Sequence, residues 1–135
     1  MNIRETLIEK ATSIRPKAYA PYSKFWVGAA LITDDGEIFT GVNFENVSFG
    51  LTICAERNAI GTMITAGAKN IAGLAVATEN GVTPCGACRQ VMVEFAAGDY
   101  PVYLINTTSG EIRDTSLGKL LPDAFDQTQL PSANE

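Results

Sequence analysis

The stretch IAGLAVATENGVTPCGACRQVMVEFAAGDYPVYLINT, residues 71–107, decides the fold. Its first eight residues form an unbroken apolar run of strand length, as expected for a strand covered on both faces. CGACRQVMVEFAAG, residues 85–98, reads as a helix, and PVYLINT, residues 101–107, as a second buried strand. Working upstream, CAERNAIGTMITAG (54–67) is helical, with Ala59, Met63 and Ala66 on one face and Gly67 as its stop. KFWVGAALIT (24–33), the turn DDG and EIFTGVNF (37–44) read as a hairpin in which Gly36 is free to take positive φ. Ile3, Leu7, Ile8, Ala11, Ile14 and Ala18 recur at helical spacing behind Asn2 and Glu5, a capping-box pair. That helix is expected to run to AYAPYS, where Pro21 disfavours helical geometry for Ala20. Downstream, EIRDT is a last strand after the turn at SG, followed by a short helical SLGKLL. Helices alternating with apolar strands predict an α/β domain of three layers, α-β-α, around one mixed five-stranded sheet with right-handed crossovers. Residues 1–135 form a single domain in this reading, with 126–135 a loosely held tail.

Composition narrows the function. Apolar residues make up 46% of the chain and charged residues 19%, which is globular rather than disordered. The net charge is −5 and no lysine or arginine run is present, so a nucleic-acid partner is excluded. No apolar run reaches membrane-spanning length and MNIRETLIEK lacks the apolar middle of a signal peptide, so a soluble cytoplasmic protein is expected, with no membrane partner.

The chain has three cysteines and no histidine. Cys54 lies in TICAERNAI, and Cys85 and Cys88 lie in TPCGACRQV. An odd number cannot close into disulfides, and a lone free cysteine would read as a small buried apolar residue. A C-x-x-C can instead be a redox dithiol, part of a structural zinc site or part of a catalytic one. The redox use has no role for Cys54 or for Glu56 two residues later. A structural site closes with four protein ligands, whereas three ligands and an open position describe a catalytic zinc. All three cysteines stand at helix N-termini, whose partial positive charge favours thiolate. Two such helices pointing the same way on one sheet bring the sulfurs together. Glu56 is then placed to move protons, although a glutamate in a first helical turn is also favoured by the dipole alone. Three thiolates against one Zn²⁺ leave the site at −1. Arg57 and Arg89, each next to a site residue, are candidates to offset that charge by donating to sulfur, the alternative being a solvated helix arginine.

CAE followed by PCGAC resembles the zinc-dependent nucleoside and nucleobase deaminases, whose signature is H-x-E with P-C-x-x-C. With Cys54 in the place of the histidine, the chain is similar to the small homotetrameric cytidine deaminases. AYAPYSKFWVGAAL, GVNFENVSFGLTICAERNAI, PCGACRQV and LLPDAF extend the likeness over nearly the whole chain. The resemblance implies a cytidine deaminase-like fold and one zinc per subunit held by Cys54, Cys85 and Cys88. It makes Glu56 the proton shuttle while zinc-bound hydroxide attacks carbon 4 of the base. Asn43 and Glu45 are implied to hydrogen-bond the ribose, and Phe25 and Phe125 to pack around the base. Ala55 is implied to offer its amide to the pyrimidine carbonyl, and Arg57 to bond the ligating sulfurs. Phe125 is implied to come from a neighbouring subunit of a homotetramer. One departure is Phe49, where many relatives carry tyrosine. The reaction implied is hydrolytic deamination of cytidine and deoxycytidine to the uridine nucleosides, a step of pyrimidine salvage, with a backbone carbonyl of Thr83 or Pro84 orienting the departing amine. Three rivals are weaker on the residues. A deaminase of a modified cytosine nucleoside does not need the ribose-fitting VNFEN, a zinc-stabilised binding module does not need Glu56, and a polynucleotide editor needs a basic groove.

Overall fold

The computed structural model describes residues 2–131. Helix α1 (Ile3–Ile14) leads into strands β1 (Gly28–Thr33) and β2 (Ile38–Val42), helix α2 (Ala55–Thr65), strand β3 (Ile71–Thr78) and helix α3 (Gly86–Glu94). Strands β4 (Pro101–Asn106) and β5 (Ile112–Ser116) and the short helix α4 (Leu117–Leu120) complete the domain. The five strands form one sheet in the order β2-β1-β3-β4-β5. Only β3 and β4 run parallel, joined through α3, and every other neighbouring pair is antiparallel.

Alternation along the strands builds two cores. Ala29, Leu31, Leu74, Val76, Val102 and Leu104 face α2 and α3, packing against Ala59, Met63 and Met92. Their neighbours Ala30, Ile32, Ala75, Ala77, Tyr103 and Ile105 face α1 through Leu7 and Ala11. The result is the expected three-layer fold with a mixed five-stranded sheet. Close approach depends on two glycines. A Cβ at Gly28 would lie 2.2 Å from the Ala11 carbonyl oxygen, and one at Gly41 would lie 2.4 Å from the Ala59 nitrogen. Side chains at these positions would push α1 and α2 off the sheet.

Three boundaries differ from the sequence reading. Helix α1 gives way to a 3₁₀ turn at Arg15–Lys17, well before Pro21, because Pro16 has no N–H to continue the α-helical ladder. Strand β1 starts at Gly28 rather than Lys24. Lys24 adopts a left-handed φ of 59°, and the side chains of Asn43, Arg15 and Ser23 hold the backbone of 25–27. Residues 126–130, expected within a loose tail, include a 3₁₀ turn at Gln127–Gln129 with a capping box from Asp126. Gln127 donates to the Glu94 carbonyl at 2.9 Å and so ties this turn to α3. Positions 132–135 of the expected tail lie outside the described residues.

Candidate active site

Both helices on the cysteine side of the sheet begin at the same cavity. Cys54 is the N-cap of α2 and Cys85 the N-cap of α3, so each sulfur sits beside unpaired helical N–H groups. Cys88 follows one turn inside α3 and is fully buried. The Cys88 N–H points at the Cys85 sulfur at 3.5 Å. The three sulfurs lie within 4.8 Å of one another, the one group among the described residues able to hold a metal ion through three such side chains.

The donor set fits zinc. Cys54 and Cys85 Sγ are 4.0 Å apart, against the ~3.8 Å between sulfurs that tetrahedral Zn–S bonds of about 2.3 Å require. Arg57 reaches the Cys54 sulfur through Nη2 at 3.5 Å, while its Nε is buried with no partner. An unpaired cationic donor beside sulfur suits an anionic thiolate cluster. The thiol of Cys88, donating to Cys54, holds the Cys54 thiol down at about 5, and Arg57 adds to this. The same hydrogen bond, with burial, pushes Cys88 up. Metal binding requires thiolates and so releases the thiol protons of the cluster.

Glu56 projects from the first turn of α2 and is only 4% exposed. Burial pushes its carboxyl up to about 7, and the charge on Cys54 adds to this, while its own backbone N–H and Arg57 pull the other way. A carboxyl balanced near neutrality both takes and gives protons. The cavity it lines has a volume of about 280 Å³. Phe25, Asn43, Ala55, Cys54 and Cys85 border it, together with Val27, Thr52, Val76, Thr78, Val82 and Thr83.

Each remaining candidate has a definite place. Asn43 is buried, with Oδ1 accepting from the Val27 N–H at 2.9 Å and Nδ2 donating to the Phe25 carbonyl at 2.8 Å. Glu45 lies outside this cavity, in an adjoining hollow with Tyr22, Ser23, Phe49 and Thr52, and Thr52 borders both spaces. The Glu45 carboxylate accepts from the Ser23 hydroxyl and from the N–H groups of Tyr22 and Ser23, which hold its pKa low. The segment carrying both residues is clamped on either side, Phe44 bridging to Tyr19 and to Ile53. Phe49 packs edge-on against Tyr22, with ring centroids 5.8 Å apart. Phe125 is 59% exposed and does not border the cysteine cavity of its own chain. Arg89 does not reach sulfur. It donates to the Pro84 carbonyl, the Leu120 carbonyl and Thr83 Oγ1.

Sequence reasoning passed over Thr52, Val82 and the Thr83 side chain as cavity walls, and Ser23 as the partner of Glu45. A small hydroxyl residue directly after Pro21-Tyr22 was the available signal for a turn needing an acceptor. A larger hollow of about 550 Å³, between α3, α4 and residues 126–128, contains neither cysteine nor Glu56. Its Glu94 and Asp99 carboxylates already accept from Gln127 and from the Gly118 N–H.

Three cysteine sulfurs able to hold a metal ion, a buried glutamate and an open cavity thus meet between two helix N-termini. Residues 1–104 match the cytidine and deoxycytidylate deaminase zinc-binding region. The chain belongs to this family. A cytidine deaminase of Sporosarcina psychrophila is 48% identical over 133 residues, spanning 97% of each chain. The crystal structure of cytidine deaminase from Burkholderia pseudomallei superposes with a TM-score of 0.85 at 50% identity, covering 93% of this chain and all of the other. Cytidine deaminase from Mycobacterium tuberculosis gives a TM-score of 0.80 at 39% identity, covering 93% of this chain and 98% of the other. As a zinc-binding deaminase domain with one three-cysteine cluster, the chain takes one Zn²⁺. Among the described residues no helix is long and apolar enough to cross a membrane.

Proposed function

We propose that the protein catalyses hydrolytic deamination of cytidine and deoxycytidine to the corresponding uridine nucleosides and ammonia. The observation that carries this is the buried Glu56 carboxyl, which lines the same cavity as Cys54 and Cys85 of the three-sulfur cluster. Cys54, Cys85 and Cys88 would hold the zinc, and Arg57 would offset the third thiolate. Zinc, when bound, supplies the Lewis acidity that lets water ionise at a pKa of about 7 rather than 15.7. Glu56 takes a proton from the attacking water and delivers it to ring nitrogen 3, making carbon 4 electrophilic. A new C–O bond forms at carbon 4, Glu56 passes a second proton to the amino group, and the C–N bond breaks to release ammonia.

The other residues orient the nucleoside. The base lies in the cysteine cavity against Phe25, with its carbonyl on the Ala55 N–H at the start of α2. The ribose extends past Thr52 toward Asn43 and Glu45, the latter ionised in the adjoining hollow. Thr83 borders the cavity and Pro84 does not, which supports the Thr83 carbonyl as the one that orients the departing amine. The exposed ring of Phe125 supports its packing into a neighbouring subunit's site, and with it a homotetramer with shared sites. A soluble salvage enzyme of this kind works in the cytoplasm.

The decisive measurement pairs zinc content with the fall in cytidine absorbance. One zinc per chain with uridine formation is expected, and zinc-loaded protein that leaves cytidine unchanged overturns the reading. Sharing of sites is tested by reassembling Glu56→Gln subunits with Phe125→Ala subunits. Hybrid sites pairing an intact Glu56 with an intact Phe125 should recover activity, and hybrids seen by mass spectrometry without recovery mean that each site is built from one chain.

A further inference from the structure

Arg89 and Gln90 follow Cys88 on α3, and both side chains leave the sulfurs alone. Arg89 donates from Nε to the Pro84 carbonyl at 2.8 Å, from Nη2 to Thr83 Oγ1 at 2.7 Å and from Nη1 to the Leu120 carbonyl at 2.6 Å. Gln90 donates from Nε2 to the Phe125 carbonyl at 2.6 Å. Two consecutive side chains thus hold residues 83–84, of which Thr83 borders the cavity, and both ends of the segment from Leu120 to Phe125. We propose that Arg89 and Gln90 are paired positioning residues for the deamination, Arg89 setting which carbonyl of the 83–84 turn faces the cavity and Gln90 setting the reach of Phe125. The pairing rests on the deaminase reading above.

The physical need for Arg89 is specific. Pro84 has no N–H to donate, so this segment is held through its acceptors, the Pro84 carbonyl and the Thr83 hydroxyl, both of which Arg89 reaches. Leu120 ends α4, where carbonyls lack helical partners. One planar guanidinium meets the three acceptors at once through three separate nitrogens of a rigid fork, whereas the donors of an ammonium all radiate from one nitrogen. With Arg89 gone, the 84–85 peptide loses the donor to its Pro84 carbonyl and Thr83 loses its side-chain anchor, so the carbonyl presented to the cavity is no longer selected. Gln90 acts at the other end of the segment. Its amide holds the backbone of Phe125 while leaving the ring exposed.

The two roles separate kinetically. In the purified zinc enzyme, zinc content, chelator competition, kcat and KM for cytidine are measured for wild type, Arg89→Ala, Arg89→Lys and Gln90→Ala. Arg89→Ala should keep its zinc with near-wild-type resistance to the chelator, because it touches no sulfur, while kcat falls about ten- to a hundredfold from misplacement. Arg89→Lys should fall between the two. Gln90→Ala should raise KM by about three- to tenfold, the effect of one lost hydrogen bond, with kcat little changed. Wild-type kcat and KM in folded, zinc-loaded Arg89→Ala and Gln90→Ala overturn the proposal, as does zinc loss in Arg89→Ala, which means action through the sulfurs. Should Arg89→Ala fail to fold, Arg89→Lys decides, and wild-type kcat there overturns the role of Arg89. A wild-type enzyme that loads zinc but does not deaminate cytidine removes the deaminase reading itself, an outcome distinct from active wild type with unaffected variants.

Discussion

At the N-terminus of α2, the arginine three residues past the capping cysteine folds back onto its sulfur at 3.5 Å. At the N-terminus of α3, the arginine four residues past the capping cysteine turns instead to three oxygens on neighbouring backbone and on Thr83. The surroundings explain the divergence. The first turn of α2 is buried, Ala55 fully and Glu56 to 4% exposure, and Arg57 finds no oxygen for its Nε there. The first turn of α3 is exposed on one side, and the carbonyls of Pro84 and Leu120 lie within 2.8 Å of the Arg89 guanidinium. The α2 end is therefore the electrostatic half of the site and the α3 end the mechanical half. Two helices that look interchangeable at their starts contribute different things.

If that division holds, the largest effect belongs to Glu56→Gln at the α2 end. Turnover should fall by about two to four orders of magnitude with zinc retained, as judged by steady-state kinetics and metal analysis. Near-wild-type turnover in the zinc-loaded variant would break the comparison at its strongest point.

Next comes the pH dependence of the metal-free protein. Burial raises Glu56 from an ordinary 4.5 to about 7 in the folded state. The favourable effect is present below pH 4.5, where both states are protonated, and is lost as pH rises through 7 and the unfolded chain ionises first. The loss amounts to about 3 kcal/mol. The cysteines titrate as well, so the difference in urea unfolding between wild type and Glu56→Gln isolates the carboxyl. A difference that stays flat between pH 4 and 8 would show Glu56 to be solvated.

Packing sharpens the contrast further. A Cβ at Gly41 would meet Ala59 N at 2.4 Å and Ala55 O at 2.6 Å, so Gly41→Ala should displace the start of α2 and cost about 1–3 kcal/mol. Thermal unfolding and chelator competition should both report it, since Cys54 moves with the helix. Arg57→Ala should weaken zinc affinity about ten- to a hundredfold. It should also shift the acid limb of kcat upward, because the charge of Arg57 holds Glu56 down. Arg57→Gln should be milder, keeping a donor without the charge. An unchanged limb and unchanged affinity would make Arg57 a spectator. The smallest effect is expected for Gly86→Ala at the start of α3, where a Cβ meets nothing within 4 Å. Its stability should stay within about 0.5 kcal/mol of wild type.

Much of this was legible in the chain. The order of helices and strands follows from periodicity and turn residues, and β3 spans the very residues of the apolar run that suggested it, Ile71 to Thr78. Gly67 ends α2 with a φ of 94°, as its place after the last apolar residue indicated. The end of α1 at Ile14 is hidden in the chain, because Pro16 at the start of a new 3₁₀ turn reads locally like a proline tolerated in a helix. The start of β1 lies later than the chain suggests because Phe25, Trp26 and Val27 carry strand chemistry, yet the side chains of Arg15, Ser23 and Asn43 hold their backbone. No local pattern reports the contacts from Arg15 and Asn43.

By itself the sequence determined the donor set, three thiols with no histidine and a glutamate two residues from the first. It also determined the α/β layering, because apolar spacing dictates which faces must be covered. Only the tertiary structure decided which arginine serves the sulfurs. Arg57 and Arg89 are each one residue from a candidate site residue, and nothing in the spacing distinguishes them. The choice depends on which acceptors the packed sheet brings within about 3 Å of a guanidinium. It likewise decided that Glu45 sits one hollow away from the cysteines, and that the start of α2 is buried deeply enough to hold a carboxyl near neutrality. Burial and hydrogen-bond partners are properties of neighbours distant in the chain, so they come into existence only when the helices close on the sheet.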